Sequence, residues 1–290
     1  MEHIAMAETS SILFAGFGYV AGATAARLAA SGWRVLASTR SAQTAATLDR
    51  LGYGAVHADP GQPEGAEALR EAASGASAII FSAAPGEHGD PFLPAFAEMD
   101  TGQTWLGYLS TTGVYGDRKG GWAFERDGVT PGQPRSVRRA EAEAEWSKRG
   151  ARLFRLSGIY GPGRSALDRV RSGESRVFNK PGQVFSRIHV DDIASALIRA
   201  LEQKDAKGAF NLADDHPSSQ AEVMCGAAAM LGVSAPEVID FDPEQASAMQ
   251  ASFFSECRRV SNARAKAVLG WRPAYPSWRE GLAAILAQGG

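Results

Sequence analysis

From Ser11 onward the chain alternates short apolar runs with longer, alanine-rich stretches whose apolar positions recur at helical spacing. Ser-Ile-Leu-Phe-Ala at 11–15 reads as a buried strand, and 18–31, stopped at Gly32, as the helix that follows it. Further β-like runs fall at 34–38, 55–58, 77–82, 104–110 and 151–156, with enough chain between them for crossover helices. Strands joined in this way predict a doubly wound parallel α/β sheet, because a parallel neighbour can be reached only by crossing over a face of the sheet. Beyond Tyr160 the texture changes, with Gly161-Pro162-Gly163, Pro181-Gly182 and several later prolines interrupting shorter elements. The pattern therefore predicts a main domain over 1–160 and a smaller C-terminal lobe over 161–290. One helix of that lobe, 191–201, carries Ile193, Ala194, Leu197, Ile198 and Leu201 at helical spacing and is expected to pack back on the main domain.

Ligands of such sheets bind beyond the carboxyl ends of the strands. At the first of these ends stands Gly16-Phe17-Gly18-Tyr19-Val20-Ala21, the GxGxxG/A pattern in the strand-to-helix position that gives it meaning. Gly16 permits the tight turn, Gly18 lets the backbone approach a pyrophosphate, and Ala21 lets the helix lie close to the strand while its N-terminal amides face the anion. These six residues are the expected cradle of a dinucleotide on a Rossmann domain. No acidic residue occurs between Glu8 and Asp49 to hold the ribose diol of NAD, whereas Thr39 and Arg40 end the second strand. The Arg40 guanidinium is placed to pair with a 2′-phosphate and to stack along adenine. NADP(H) is the preferred cofactor on this reading and NAD(H) the alternative; a solvated surface arginine is the plainer explanation of Arg40. Asp59, after the third strand, and Ala83 and Ala84, after the fourth, fall by topology along the adenine and ribose.

Composition narrows the classes. The 30 basic and 32 acidic residues are spread along the chain, so no broad electropositive face for nucleic acid is expected. With 290 residues, 44% hydrophobic and 21% charged, there is ample material for a core. Cys225 and Cys257 have no CxxC spacing, which suits a reducing compartment and speaks against a structural metal. The first ten residues contain Glu2 and Glu8 and no basic-then-apolar leader pattern, and no segment approaches the roughly 20 apolar residues of a membrane span, so a cytoplasmic protein without a membrane partner is expected. The absence of Gly-x-Ser-x-Gly, Gly-x-x-x-x-Gly-Lys and His-Glu-x-x-His removes the hydrolase, nucleotide-triphosphatase and zinc-enzyme signatures.

Further motifs follow in order: Leu109-Ser110-Thr111-Thr112-Gly113-Val114-Tyr115-Gly116 at the fifth strand, Arg155-Leu156-Ser157-Gly158-Ile159-Tyr160-Gly161-Pro162-Gly163 at the sixth, then Ile188-His189-Val190-Asp191-Asp192, Phe210-Asn211-Leu212-Ala213 and Leu269-Gly270-Trp271-Arg272-Pro273. With them the chain resembles, nearly end to end, an extended or atypical short-chain dehydrogenase/reductase of the NAD-dependent epimerase/dehydratase family. The resemblance implies hydride exchange at a carbinol or carbonyl. In that chemistry a Ser or Thr binds the reacting oxygen, a Tyr passes its proton, and a Lys lowers the tyrosine pKa and holds the nicotinamide ribose. Thr111 matches the Ser/Thr position, and Ser110, Ser157 and Gly158 fall among the cofactor-facing strand ends. The Tyr-x-x-x-Lys pair is expected at the start of the next helix, where Val137 and Glu141 stand in its place.

Tyr115 is then the preferred proton donor, with Tyr160 and His189 as candidates on the substrate side, each weighed against a packed, structural side chain. Asp191 and Asp192 are expected to cap the helix they precede. The run from Val137 to Lys148, with Arg138 and Arg139, reads as a solvated helix face. The family's dimers form through the helices after the fourth and fifth strands; here the first offers Phe92, Leu93, Phe96 and Met99 and the second is mostly charged, so a homodimer is an expectation carried by one helix. Two functions follow. One is an NADP(H)-dependent oxidoreductase or epimerase-like enzyme acting on a small hydroxyl or carbonyl compound, a nucleotide sugar among the candidates. The other is a non-catalytic NADP(H)-binding sensor or scaffold that has lost the Tyr/Lys pair.

Overall fold

In the computed structural model, residues 10–289 are described; Glu2 and Glu8, on which the leader reading rests, lie outside the described residues. β1 (Ser11–Ala15) is buried along its whole length, as an unbroken apolar run demands of a strand covered on both faces. It is followed by α1 (Tyr19–Ala30), β2 (Arg34–Thr39), α2 (Ala42–Arg50), β3 (Gly54–His57), α3 (Pro63–Ser74) and β4 (Ala78–Phe81). After β5 (Trp105–Thr111) come a 3-10 turn (Thr112–Tyr115), β6 (Trp122–Ala123), α4 (Pro134–Lys148) and β7 (Arg152–Leu156). The remaining chain forms β8 (Gly158–Tyr160), α5 (Ala166–Arg171), β9 (Arg176–Asn179), β10 (Arg187–His189), α6 (Val190–Glu202), β11 (Ala209–Leu212) and α7 (Gln220–Leu231). It ends with β12 (Glu237–Asp240), α8 (Ala248–Phe254), β13 (Arg259–Val260), α9 (Ala263–Leu269) and α10 (Trp278–Ala287).

Seven parallel strands form the central sheet in the order β11-β7-β5-β4-β1-β2-β3. β1 pairs with both β2 and β4, with Phe14 opposite Ala37 on one side and Ile80 on the other. The winding therefore reverses beside β1, which opens a crevice at the carboxyl ends of these strands. One apolar layer, with Val20, Ala25, Leu197 and Trp271, covers one face of the sheet; a second, with Leu69, Phe81, Phe96 and Trp146, covers the other. Three two-stranded pairs, β8 with β10, β9 with β12 and β6 with β13, lie outside the central sheet.

Several elements differ from the sequence expectations. Phe210-Asn211-Leu212, placed with the lobe, is the seventh strand of the main sheet, paired to β7. Residues 91–98 are turns rather than a helix, because Pro91 and Pro94 interrupt helical hydrogen bonding. Phe92 and Phe96 point inward onto Phe81, with ring centroids 6.0 and 5.1 Å away, and Trp146 stacks on the same ring at 3.7 Å. The side chains offered for a dimer helix are thus largely spent inside the core. His189, not an aspartate, caps α6, its Nδ1 accepting from the Asp191 N–H at 3.2 Å. Asp191 instead pairs with Arg27 of α1 at 3.1 Å, and the Asp192 carboxylate accepts from the Ala274 and Tyr275 amides, tying the C-terminal segment to α6.

Candidate functional site

The turn after β1 is held from two sides: the Gly16 N–H donates to Ser38 Oγ at 2.8 Å, and Ser82 Oγ donates to the Gly16 carbonyl at 2.6 Å. Gly16 has φ +87°, and a Cβ there would come within 3.2 Å of Ser82 Oγ, so only glycine fits without strain. α1 then starts at Gly18 with no side-chain cap and no acidic residue in its first turn, leaving its amides and the positive end of its dipole open. Val20 and Ala21 are buried against the sheet, Phe17 packs on Phe14 and Tyr53, and the Tyr19 hydroxyl donates to the Pro162 carbonyl at 2.9 Å. Arg40 lies exposed at the end of β2, its carbonyl 3.1 Å from His57 Nε2, while Thr39 Oγ1 accepts from the Ser41 amide. Asp59 Oδ1 accepts from the Gly61 amide in the turn before α3. A bare glycine turn and an uncapped helix start fit a pyrophosphate. The buried Oγ atoms of Ser110 and Ser157, each without a partner, are further polar groups left over by the fold at the sheet's carboxyl edge.

A cavity of about 830 Å³ lies beyond the carboxyl ends of β5 and β7, large enough for a small organic molecule. Thr111, Ser157, Gly158 and Tyr160 line it together. Thr111 Oγ1 accepts from the Gly113 N–H at 3.1 Å, so the hydroxyl hydrogen remains available to an oxygen in the cavity. Tyr160 is mostly covered, its hydroxyl donating weakly to the Ser277 carbonyl at 3.3 Å, and burial raises its pKa.

Tyr115 and His189 sit elsewhere. Tyr115 is fully buried, its hydroxyl donating to Asn211 Oδ1 at 2.7 Å and accepting from Arg155 Nη1 at 2.9 Å. Tyr115 and Lys119 have Tyr-x-x-x-Lys spacing, but the 3-10 turn ends at Tyr115 and Lys119 has φ +49°, so no helix stacks one over the other. His189 is buried between the rings of Tyr160 and Tyr275 and keeps its Nε2 unpartnered.

The face of α4 that meets the site is not the one bearing Val137 and Glu141, both of which are exposed. Ser136 is buried so tightly against the turn after β5 that a Cβ on Gly113 would fall 2.7 Å from its Oγ. Arg135, itself exposed, borders the cavity, and Arg139 lies on the strand ends, where one guanidinium nitrogen donates to the carbonyls of Ala83 and Leu109 and to the Tyr108 hydroxyl at 2.8–3.1 Å. Arg135 and Arg139 lie one helical turn apart on α4.

No family model matches the chain. A functionally unknown conserved protein from Silicibacter pomeroyi DSS is 36% identical to it, covering 97% of this chain and 99% of that one with a TM-score of 0.88. A candidate NAD-dependent epimerase/dehydratase from Methylobacillus flagellatus superposes at a TM-score of 0.75, with 24% identity over 97% and 99% of the two chains. The chain shares the fold of the NAD-dependent epimerase/dehydratase structures. It belongs to one family with the S. pomeroyi protein. A Thermus thermophilus UDP-glucose 4-epimerase in complex with NAD shares the fold at 20% identity over 96% and 99% of the chains, TM-score 0.74. A 3-diazoavenalumate denitrifying reductase from Streptomyces sp. is 32% identical over 168 residues, 54% of this chain and 55% of that protein, so the chain spans about half the length of this curated relative. Among the described residues no helix is long and apolar enough to cross a membrane.

The cavity also holds residues that no sequence motif marked: Arg164, Arg187 and Arg258, with Phe185, Phe253 and Trp278. They come from elements far apart in the chain, and no local pattern marks them. Arg187 is spent on the carbonyls of Phe185 and Ser218, and burial pushes it down to about 10. Near it, burial pushes the Asp214 carboxyl up to about 8, with Oδ1 held by the His216 amide and Oδ2 unpartnered. A raised carboxyl pKa means that the folded chain holds a proton the unfolded one releases. The associated stability is present below about pH 4 and lost as pH climbs through about 8. The melting temperature of the unaltered protein should therefore fall more steeply between about pH 5 and 8 than that of Asp214→Asn; parallel calorimetric profiles would reject this.

Proposed function

We propose that the chain is an NADP(H)-preferring oxidoreductase that reduces a small molecule held over the ends of β5 and β7. The observation that carries the reading is an open glycine-turn cradle whose Tyr19 reaches the cavity rim at Pro162 and Arg164, beside a cavity in which Thr111 presents a free hydroxyl hydrogen. A nicotinamide dinucleotide would supply hydride when bound, and a protein of the same fold, the T. thermophilus UDP-glucose 4-epimerase, is in complex with NAD. Gly16, Gly18 and the first turn of α1 would hold the pyrophosphate, and Arg40 a 2′-phosphate. Arg139, held on the carbonyls of Ala83 and Leu109 at the strand ends, would orient the ribose. Thr111 would donate to the reacting oxygen.

The 32% identical relative, named as a reductase of a diazo compound, favours reduction over epimerisation. A proton for carbonyl reduction would come from water in the cavity. An acceptor that expels its leaving group as it takes hydride would need none.

Titration with both cofactors tests the cradle. NADPH should bind more tightly than NADH, and Arg40→Ala should erase about 10- to 100-fold of that preference, the scale of one or two charge-assisted hydrogen bonds. Equal or tighter NADH binding by the unaltered protein would overturn the NADP(H) assignment. NADPH binding without oxidation of NADPH by any aldehyde, ketone, nucleotide sugar or diazo compound would favour the sensor reading.

A further inference from the structure

We propose that the cavity selects a planar, aromatic carboxylate, with Arg135 pairing its anionic end; this rests on the oxidoreductase reading and names the substrate class for it. Five arginines line the cavity against two carboxylates, Asp168 and Glu256. Three of the five are committed within the fold: Arg258 to Glu256 and the Gly116 carbonyl, Arg169 to Glu174, and Arg187 to backbone carbonyls. Asp168 is likewise engaged, closing the capping box of α5. Arg135 is exposed at the cavity wall, where among the described residues its guanidinium makes no hydrogen bond or ion pair, and Arg164 only rests over the Tyr19 ring at 6.0 Å, toward the glycine turn. The charge left uncompensated at the β5 end of the cavity is therefore that of Arg135.

Its position does nothing for the helix. Arg135 is in the first turn of α4, which has no side-chain cap and no acidic residue there, so its charge adds to the positive end of the helix dipole. A cation at that point is unfavourable alone and favourable once an anion joins it. A second, independent polar group faces the same space: Ser157 lines the cavity, is 5% exposed, and leaves its Oγ without a partner. An anion with two oxygens offers one to the guanidinium fork and another to a hydroxyl.

The rest of the wall is apolar and flat. Phe185 and Phe253 stack at 4.4 Å with ring planes 19° apart, and Phe253 remains 47% exposed beside the cavity. Trp278, Tyr160, Val223 and Leu282 form a buried cluster on the lobe side. A face of this kind takes up a ring or a conjugated chain, and the arginine at one end fixes which way the molecule points.

Binding of cinnamate and of neutral cinnamamide, measured calorimetrically on the NADP⁺-loaded protein, tests this. The acid should bind about tenfold or more tightly than the amide, and Arg135→Gln should remove that difference while leaving NADP⁺ affinity unchanged; Arg135→Lys should restore part of it. Equal affinities for acid and amide, a preference that survives Arg135→Gln, or no binding of either compound to protein that holds NADP⁺ would each overturn the proposal. Failure to hold NADP⁺ or NADPH at all would strike the oxidoreductase reading instead, so the two failures are distinguishable.

Discussion

Glu143→Ala should lower the folding free energy by about 3–5 kcal/mol, the cost of leaving a buried guanidinium without its counter-charge. Arg155 and Glu143 have 8% and 5% of their side chains exposed and meet through Nη2 to Oε2 at 2.7 Å, with Nε donating to both carboxylate oxygens at 3.1 and 3.2 Å. Burial alone would lower the Arg155 pKa, but the Glu143 carboxylate more than offsets it and the net direction is upward. The pair also organises its surroundings. Arg155 Nη1 donates to the Tyr115 hydroxyl, which donates to Asn211, whose amide group donates to the Ser261 carbonyl. One network thus joins α4, β7, the turn after β5 and β11. Denaturant titration of Glu143→Ala, Arg155→Met and the combined Glu143→Leu with Arg155→Met checks the account. Each single change should cost several times more than a surface substitution, and the combined change should recover much of the loss because no charge is left stranded. A cost below about 1 kcal/mol for Glu143→Ala would mean that water reaches Arg155 in the folded protein.

Thr111→Val should reduce kcat by about 10²-fold or more once an acceptor substrate is in hand, with NADP(H) affinity nearly unchanged. The hydroxyl is engaged as an acceptor by the Gly113 amide, which holds it in place, and its hydrogen is the part left for a substrate oxygen. Valine keeps the shape and the β-branching and removes only that donor. Thr111→Ser should recover most of the rate, which separates the hydroxyl from the methyl group. Turnover in the valine variant equal to the parent would remove Thr111 from the reaction.

What the sequence by itself determined is local or periodic. The run 11–15, the glycine turn at Gly16 and Gly18, the small Ala21 and the crossover spacing depend on backbone freedom and on side-chain alternation along one stretch of chain, and the structure has the same strand, turn and helix. Thr111, Ser157, Gly158 and Tyr160 could be anticipated at the cavity because strand ends are where a doubly wound sheet leaves room. The rotation of α4 could not be read this way. Its sequence carries charges on every face, so periodicity alone does not say that Arg139 turns onto the strand ends while Val137 and Glu141 meet solvent. That choice is made by contacts distant in sequence: Trp146 stacking on Phe81, Glu143 closing on Arg155 and Ser136 lying on Gly113. Tyr115 was equally undecidable, since a tyrosine beside a strand end serves a site or a core according to what its hydroxyl meets, and here the partners come from β7 and β11. Only the tertiary structure brings those groups together, because burial and pairing of polar side chains depend on which distant segments share the space.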